Sequence, residues 1–166
     1  MLEIARIITP PNTEEALAKR FTEECFYFER VYLKDHPGIL FEGEMDTLVA
    51  LSKTFDLYIV SNCQYGYIET FLPLVGEGLF KGYLCFDDTK REKGFTIKEL
   101  IKRFSIGEAC YIGDTSGDEV ATRDAGLPFV FASYGFGQAS SPDAIAISFA
   151  DLPRALREIW PPKLGL

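Results

Sequence analysis

The chain has 166 residues, a formal net charge of −8 and 47% hydrophobic residues. That length supports one domain with a core, burying roughly two-thirds of the unfolded surface, and the aromatic and aliphatic content argues against disorder. The negative balance argues against nucleic acid or an anionic membrane as partner, since both need a basic patch; it still allows an anionic small substrate held by one metal ion and one lysine.

No run of about 18 apolar residues marks a membrane span. Met1-Leu2-Glu3-Ile4 lacks the basic region and apolar core of a signal peptide. Cys25, Cys63, Cys85 and Cys110 form no C-x-x-C pair. Buried free thiols in a cytoplasmic protein are the expectation.

Pro10-Pro11 stops whatever precedes it, and Asn12 with Glu15 reads as a capping pair. The spacing predicts a helix over residues 13–34. Leu17, Phe21, Cys25, Phe28 and Tyr32 recur every three or four positions; this aromatic stripe is expected to face the core. Asp35-His36-Pro37-Gly38 breaks the chain. His36, the only histidine, reads as structural or solvated, which leaves serine–histidine or cysteine–histidine catalysis little to work with. A short helix over residues 43–53 places Met45, Leu48 and Val49 on one side.

Residues 57–60 form a continuous apolar run, as in a parallel strand covered on both faces. A helix over 66–74 follows, then a strand over 83–86. Residues 95–104 read as a helix with Ile97, Leu100, Ile101 and Phe104 as its apolar positions. A strand over 109–112, a helix over 117–124 stopped by Ala125-Gly126, a strand over 129–131 and a weaker one over 144–148 come next. Asp151 is placed to cap a last helix over 152–159, before Pro161-Pro162. Alternating strands and helices mean a parallel, Rossmann-like α/β sheet.

The most informative run is Tyr111-Ile112-Gly113-Asp114-Thr115-Ser116-Gly117-Asp118. It is a strand ending in glycine, followed by two carboxylates four residues apart. Such carboxylates suit a hard cation such as Mg²⁺, and ligands of open α/β sheets bind outside the carboxyl ends of the strands. Two further features precede it in chain order. A strand ends in Ser61-Asn62, and Lys93 stands at the start of a helix. A hydroxyl and backbone N–H groups can hold phosphate oxygens, and an ammonium can neutralise them. A solvated face is the simpler reading for Lys93, because Lys90, Arg91, Lys98 and Lys102 surround it; its place before Gly94 and a helix favours phosphate contact, with Lys90 as the fallback.

This series resembles the haloacid dehalogenase-like hydrolases, a family of mainly Mg²⁺-dependent phosphatases. Ser61 corresponds to the family's second motif, Lys93 to its third, and Asp114 with Asp118 to its fourth. Residues 61–69, Lys93-Gly94 and Ala132-Ser133-Tyr134-Gly135-Phe136-Gly137 are similar to its phosphoglycolate phosphatase-like branch. The resemblance runs from about Glu3 to the end. It implies a Rossmann-like core over 41–166 and a remnant of a helical cap over 1–40. It also implies Ser61, Asn62 and Lys93 as phosphate-binding residues, Asp114 and Asp118 as metal ligands, Mg²⁺ as cofactor, and a small phosphorylated metabolite as substrate.

One departure matters most. The family opens with a strand bearing Asp-x-Asp-Gly-Thr, which supplies the nucleophile and the general acid/base, and no such run occurs in the 166 residues. By resemblance the chain begins inside the cap, and the absent strand would lie between those ending at Ser61 and Asp114. Phe86-Asp87-Asp88-Thr89 is a poor substitute: its carboxylates are adjacent, so they should point different ways, and no glycine follows. The expectation is a phosphatase fold with no catalytic aspartate pair, inactive or weak, binding Mg²⁺ weakly. The alternative is a non-catalytic phosphate- or metal-binding module on the same fold. A receiver-like signalling domain is disfavoured, because there the lysine should follow the acidic residues and here Lys93 precedes Asp114.

Overall fold

The computed structural model describes residues 2–76 and 78–161, with side chains from residue 5 onward. Pro162, half of the expected proline stop, lies outside the described residues. The helices are α1 (Leu2–Ile8), α2 (Glu15–Asp35), α3 (Glu44–Leu51), α4 (Tyr67–Val75), α5 (Phe86–Thr89), α6 (Lys93–Arg103), α7 (Ser116–Ala125) and α8 (Leu152–Ile159). The strands are β1 (Leu57–Ser61), β2 (Phe80–Cys85), β3 (Tyr111–Gly113), β4 (Phe129–Ala132) and β5 (Ala144–Ala146). The architecture is the expected mixed α/β one, with every strand pair parallel.

The strands form two sheets rather than one. β1 pairs with β2, and β3, β4 and β5 pair in that order. The core lies on the second sheet, where Val130, Ala144, Ala146, Leu152, Ala155 and Leu156 pack with Leu51. The small side chains of β5 and α8 let that helix approach closely. Helix α6 packs on β1 and β2 and also against α7, which itself covers β3 and β4, so α6 spans the two sheets.

Three local expectations are corrected. Asn12 does not cap α2. Thr13 donates both its N–H and its hydroxyl to the Pro10 carbonyl, a turn that leaves Asn12 left-handed (φ 69°) and puts Glu14 at the cap position. The aromatic stripe of α2 does not face a core: Phe28 is 65% and Tyr32 60% exposed, with Leu17 and Phe21 also exposed. The buried residues are Ala18 and Thr22, about 100° round the helix, where α1 packs. Small residues set that close approach, and nothing among the described residues covers the larger ones. In α3, Leu48 is buried as expected, but with Glu44, Thr47 and Leu51 rather than Met45 and Val49, which are exposed. Glu44 is tied down by the Phe41 N–H at 2.8 Å.

His36 ends α2 with its ring stacked on Tyr32, in the structural role expected of it. The four cysteines are free, but only Cys85 is fully buried; Cys25, Cys63 and Cys110 are half-buried. Burial pushes the Cys85 thiol up to about 11. No described helix is long and apolar enough to cross a membrane.

Candidate functional site

The loop after β3 is organised by one carboxylate. Thr115 caps α7, its Oγ1 accepting from the Asp118 N–H at 3.1 Å. Asp118 Oδ2 in turn accepts from Thr115 Oγ1 at 2.7 Å, from the Thr115 N–H at 3.1 Å and from the Asp114 N–H at 3.2 Å. This reciprocal box satisfies N–H groups that a helix start leaves without partners. The carboxylate can fold back this far because residue 113 is glycine. A Cβ there would stand 2.5 Å from the Asp118 Cβ.

The second oxygen of Asp118 is also engaged. Lys93, the first residue of α6, places Nζ on Oδ1, and the two side chains are only 17% and 6% exposed. Burial works against the charged carboxylate, but the Lys93 and Thr115 hydrogen bonds outweigh it and hold Asp118 below the usual carboxylate range. The lysine ammonium also sits 5.8 Å over the Tyr111 ring.

Asp114 is oriented from another direction. Its Oδ2 accepts from the Phe136 N–H at 2.8 Å, leaving Oδ1 with no donor among the described residues. The flanking glycines make this approach possible. A Cβ on Gly135 would meet the Asp114 Cβ at 2.3 Å, and one on Gly137 would meet the Asp114 carbonyl at 2.7 Å. Neither glycine has a positive φ, so space, not turn geometry, requires them.

At the carboxyl end of β1, Ser61 Oγ accepts from the Cys63 N–H at 3.2 Å, and Asn62 is exposed beside it. Ser61 and Asp114 line one cleft of about 670 Å³, together with Cys63, Tyr67, Gly113, Phe136, Ile59 and Ile112. Lys93, Asp118 and Asn62 are not on its wall. The expected residues therefore fall into two groups: Ser61 with Asp114 on the cleft, and Lys93 with Asp118 behind the loop.

A divalent cation fits the present arrangement poorly. No group of three His, Cys, Asp or Glu side chains able to hold a metal occurs among the described residues. Asp114 offers one open oxygen, and Asp118 offers none unless it releases Lys93 or the Thr115 cap. Mg²⁺ requires near-octahedral oxygen ligation, and these residues do not complete it.

The adjacent carboxylates near β2 serve the backbone. Asp88 accepts from the Cys85 N–H at 2.7 Å, and Asp87 from the Tyr65 N–H at 2.9 Å and from Lys90. Asp88 also accepts from the Tyr65 hydroxyl at 3.3 Å, so the adjacent carboxylates hold different backbone N–H groups yet share Tyr65.

Sequence reading missed Tyr111, Thr115 and the backbone of Phe136. The Thr-x-x-Asp spacing at 115–118 was a legible capping signal. Nothing in the sequence told that Tyr111 Oη donates to the Val60 carbonyl at 2.9 Å, across from β3 to β1.

Comparison with known proteins places this arrangement. A haloacid dehalogenase-like hydrolase from Streptococcus pneumoniae superposes with a TM-score of 0.77 at 20% identity, covering 94% of this chain and 76% of that one. A predicted phosphoglycolate phosphatase from Haemophilus somnus 129pt gives 0.72 at 23% identity, covering 92% and 72%. A HAD-superfamily hydrolase, subfamily IA, variant 1, from Geobacter sulfurreducens PCA gives 0.61 at 19% identity, covering 70% of this chain and 60% of that one. These likenesses concern the fold. No curated protein matches the sequence. The family model described as haloacid dehalogenase-like hydrolase matches residues 4–132. With most of its length matched, the parallel α/β layout and the acidic loop after β3 are those of a relative: the chain belongs to the haloacid dehalogenase-like hydrolase family.

Proposed function

We propose that this chain carries the phosphate-binding part of a Mg²⁺-dependent phosphate monoesterase acting on a small phosphorylated metabolite in the cytoplasm, and that the 166 residues alone bind phosphate without appreciable turnover. The observation that carries this reading is the cleft lined by Ser61 at the end of β1 and Asp114 after β3, whose only other carboxylate among the described residues, Glu44, is bonded to the Phe41 N–H. Ser61 offers a hydroxyl proton, since its oxygen already accepts from Cys63. Lys93 has three N–H donors and gives Asp118 one of them; it is off the cleft wall, so its contact with a phosphate there needs the ammonium to move toward the cleft. These groups position and neutralise; none is placed to attack phosphorus.

Mg²⁺ enters as an expectation of the family, with Asp114 as the available ligand and Asp118 as the residue holding Lys93. The affinity expected for the chain alone is roughly millimolar or weaker. The Lys93–Asp118 pair, closed on itself, equally suits the alternative of a non-catalytic phosphate-binding module.

The test is Mg²⁺-dependent phosphate release from p-nitrophenyl phosphate and phosphoglycolate. The chain alone should stay at background, since losing a nucleophile that works as part of a unit costs on the order of 10⁶ in turnover. Fusing a strand bearing Asp-x-Asp-Gly-Thr, with the remaining cap, should confer activity that Asp114→Asn removes. If that fusion folds but stays inactive while phosphate still binds, the binding-module reading stands. Robust turnover by the 166 residues, abolished by Asp114→Asn, would overturn the proposal and make Asp87 and Asp88 the first residues to mutate.

A further inference from the structure

Glu119 lies in the first turn of α7, is buried, and has no role in the phosphate chemistry described above. Both of its oxygens are filled by consecutive backbone N–H groups of another segment: Ser140 donates to Oε2 and Ser141 to Oε1, each at 2.7 Å. These charge-assisted bonds offset the cost of burying the carboxylate. Ser140 and Ser141 belong to the stretch over 133–143 that links β4 to β5. One turn further along α7, Arg123 donates to the Ser141 carbonyl and to Asp143 Oδ2, each at 2.6 Å. The start of the stretch is tied as well, with the Ser133 N–H on the Ala146 carbonyl at 2.9 Å and the Gly135 N–H on the Ala132 carbonyl at 3.0 Å. Between these two moorings Phe136 gives its N–H to Asp114 Oδ2 at 2.8 Å. The Phe136 side chain is 93% exposed, so its own packing does not hold the backbone there.

We propose that Glu119 is a positioning residue for Asp114, acting through this loop. By seating residues 140–141 on α7 it fixes where the Phe136 N–H stands, and that N–H fixes the carboxylate of Asp114 on the cleft wall. Only Gly137, Gln138 and Ala139 separate the two contacts, so a shift at Ser140 passes along a short tether to Phe136. A side chain in a functional site keeps its geometry only where its supporting groups are themselves held. The first turn of α7 therefore grips Asp114 from two sides. Asp118 accepts the Asp114 N–H directly, and its neighbour Glu119 anchors the loop whose N–H meets the Asp114 side chain. The proposal rests on Asp114 being the carboxylate available on the cleft. Its test uses neither phosphate nor metal, so it can fail while the phosphate reading stands, and the reverse.

The experiment follows amide signals of the full chain, isotope-labelled for NMR. Two quantities are read: hydrogen exchange at Phe136, Ser140 and Ser141, and the shift of the Phe136 amide proton, which its carboxylate acceptor moves downfield. Glu119→Ala removes both acceptor oxygens of the anchor, and Glu119→Gln keeps one. In Glu119→Ala the Phe136 amide should exchange at least about tenfold faster, as the loss of hydrogen bonds to a charged group implies, and its shift should move upfield. Glu119→Gln should fall between it and the parent. Leu156→Ala weakens the core on α8 and should leave the Phe136 shift in place, which separates positioning from lost stability. Coupling is reciprocal, so Asp114→Ala should speed exchange at Ser140 and Ser141. If the Glu119 variants do not fold, the parent decides alone, because amides held by one clamp open together. Three results would each overturn the proposal. One is a Phe136 amide unchanged in Glu119→Ala. Another is an equal shift change in Leu156→Ala. The third is a parent in which Ser140 and Ser141 open at least about tenfold more often than Phe136.

Discussion

β4 and β1 are both short, apolar, parallel strands, yet they sit in different surroundings. β4 has a strand on each side, and Phe129, Val130 and Ala132 are buried. β1 has β2 on one side only, and all five of its residues are half-buried. Apolar content does not separate the two; lateral neighbours do. A strand gains full burial when both edges are paired and both faces are covered, and β1 lacks one edge. The molecule is therefore a closed half, β3-β4-β5 with α7 and α8, and an open half, β1-β2 with α4. Tyr111 bonds to the Val60 carbonyl across them, Leu57 of β1 packs against the core of the closed half, and α6, which lies on β1 and β2, reaches α7 through the Lys93–Asp118 pair.

The sharpest way to break the comparison is to truncate equivalent positions in the two strands. Phe129 is among the most deeply buried side chains. Phe129→Ala should lower stability by about 3–5 kcal/mol through lost transfer energy and an unfilled cavity. Ile59 already lines open space, in both the 670 Å³ cleft and a cavity of about 570 Å³. Ile59→Ala should cost less than half as much, about 1–2 kcal/mol, because little new cavity is made. Urea unfolding of both variants measures this. Equal losses would mean that β1 is as well packed as β4.

The buried contact between the halves comes next. Asp118→Asn keeps an acceptor for Thr115 but leaves the Lys93 ammonium inside without its counter-charge, and the expected loss is about 3 kcal/mol at neutral pH. The pH dependence identifies the cause. Asp118 is held below its ordinary value of 3.8, so the unfolded chain takes up the proton first as pH falls. The contribution is complete well above pH 4 and disappears as the pH drops through the folded value. Thermal melts from pH 7 to pH 3 should show a shallower acid decline in Asp118→Asn than in the parent. The decline should not vanish, since Asp87, Asp143 and Asp151 are also held low. An unchanged slope would show that the pair adds nothing.

How much of this was readable beforehand follows the same division. Continuous apolar runs gave the order of strands, and the loop at 114–118 was legible because Gly, Thr and two Asp residues at fixed spacing leave few local solutions. The stripe of α2 misled because periodicity reports which side chains could share a face, not whether anything covers it; Phe28 and Tyr32 have the pattern of a core and the exposure of a surface. Asn12 misled because a cap depends on the φ of its own residue, and the Thr13–Pro10 turn fixed that first. The pairing of Lys93 with Asp118, 25 residues apart, depends on α6 crossing between the sheets. No local signal carries it. The split of the sheet was open to inference, since a parallel array missing a middle strand leaves two edges, but the reach of Tyr111 across them was not.

That reach supports the smallest and most specific prediction. The Tyr111 hydroxyl donates to a carbonyl on the unpaired side of β1; Tyr111 is half-buried, and burial raises its phenol well above the ordinary value. Tyr111→Phe keeps the ring, and with it the contact under Lys93, and removes one hydrogen bond. A net loss of about 1 kcal/mol is expected, up to about 3 if the Val60 carbonyl finds no water. A cavity of about 570 Å³ lined by Val60 and Tyr111 leaves room for water at that carbonyl, which favours the lower figure. Urea unfolding of Tyr111→Phe against the parent measures this, and an unchanged midpoint would show that the Tyr111–Val60 bridge adds nothing to the tie between the halves.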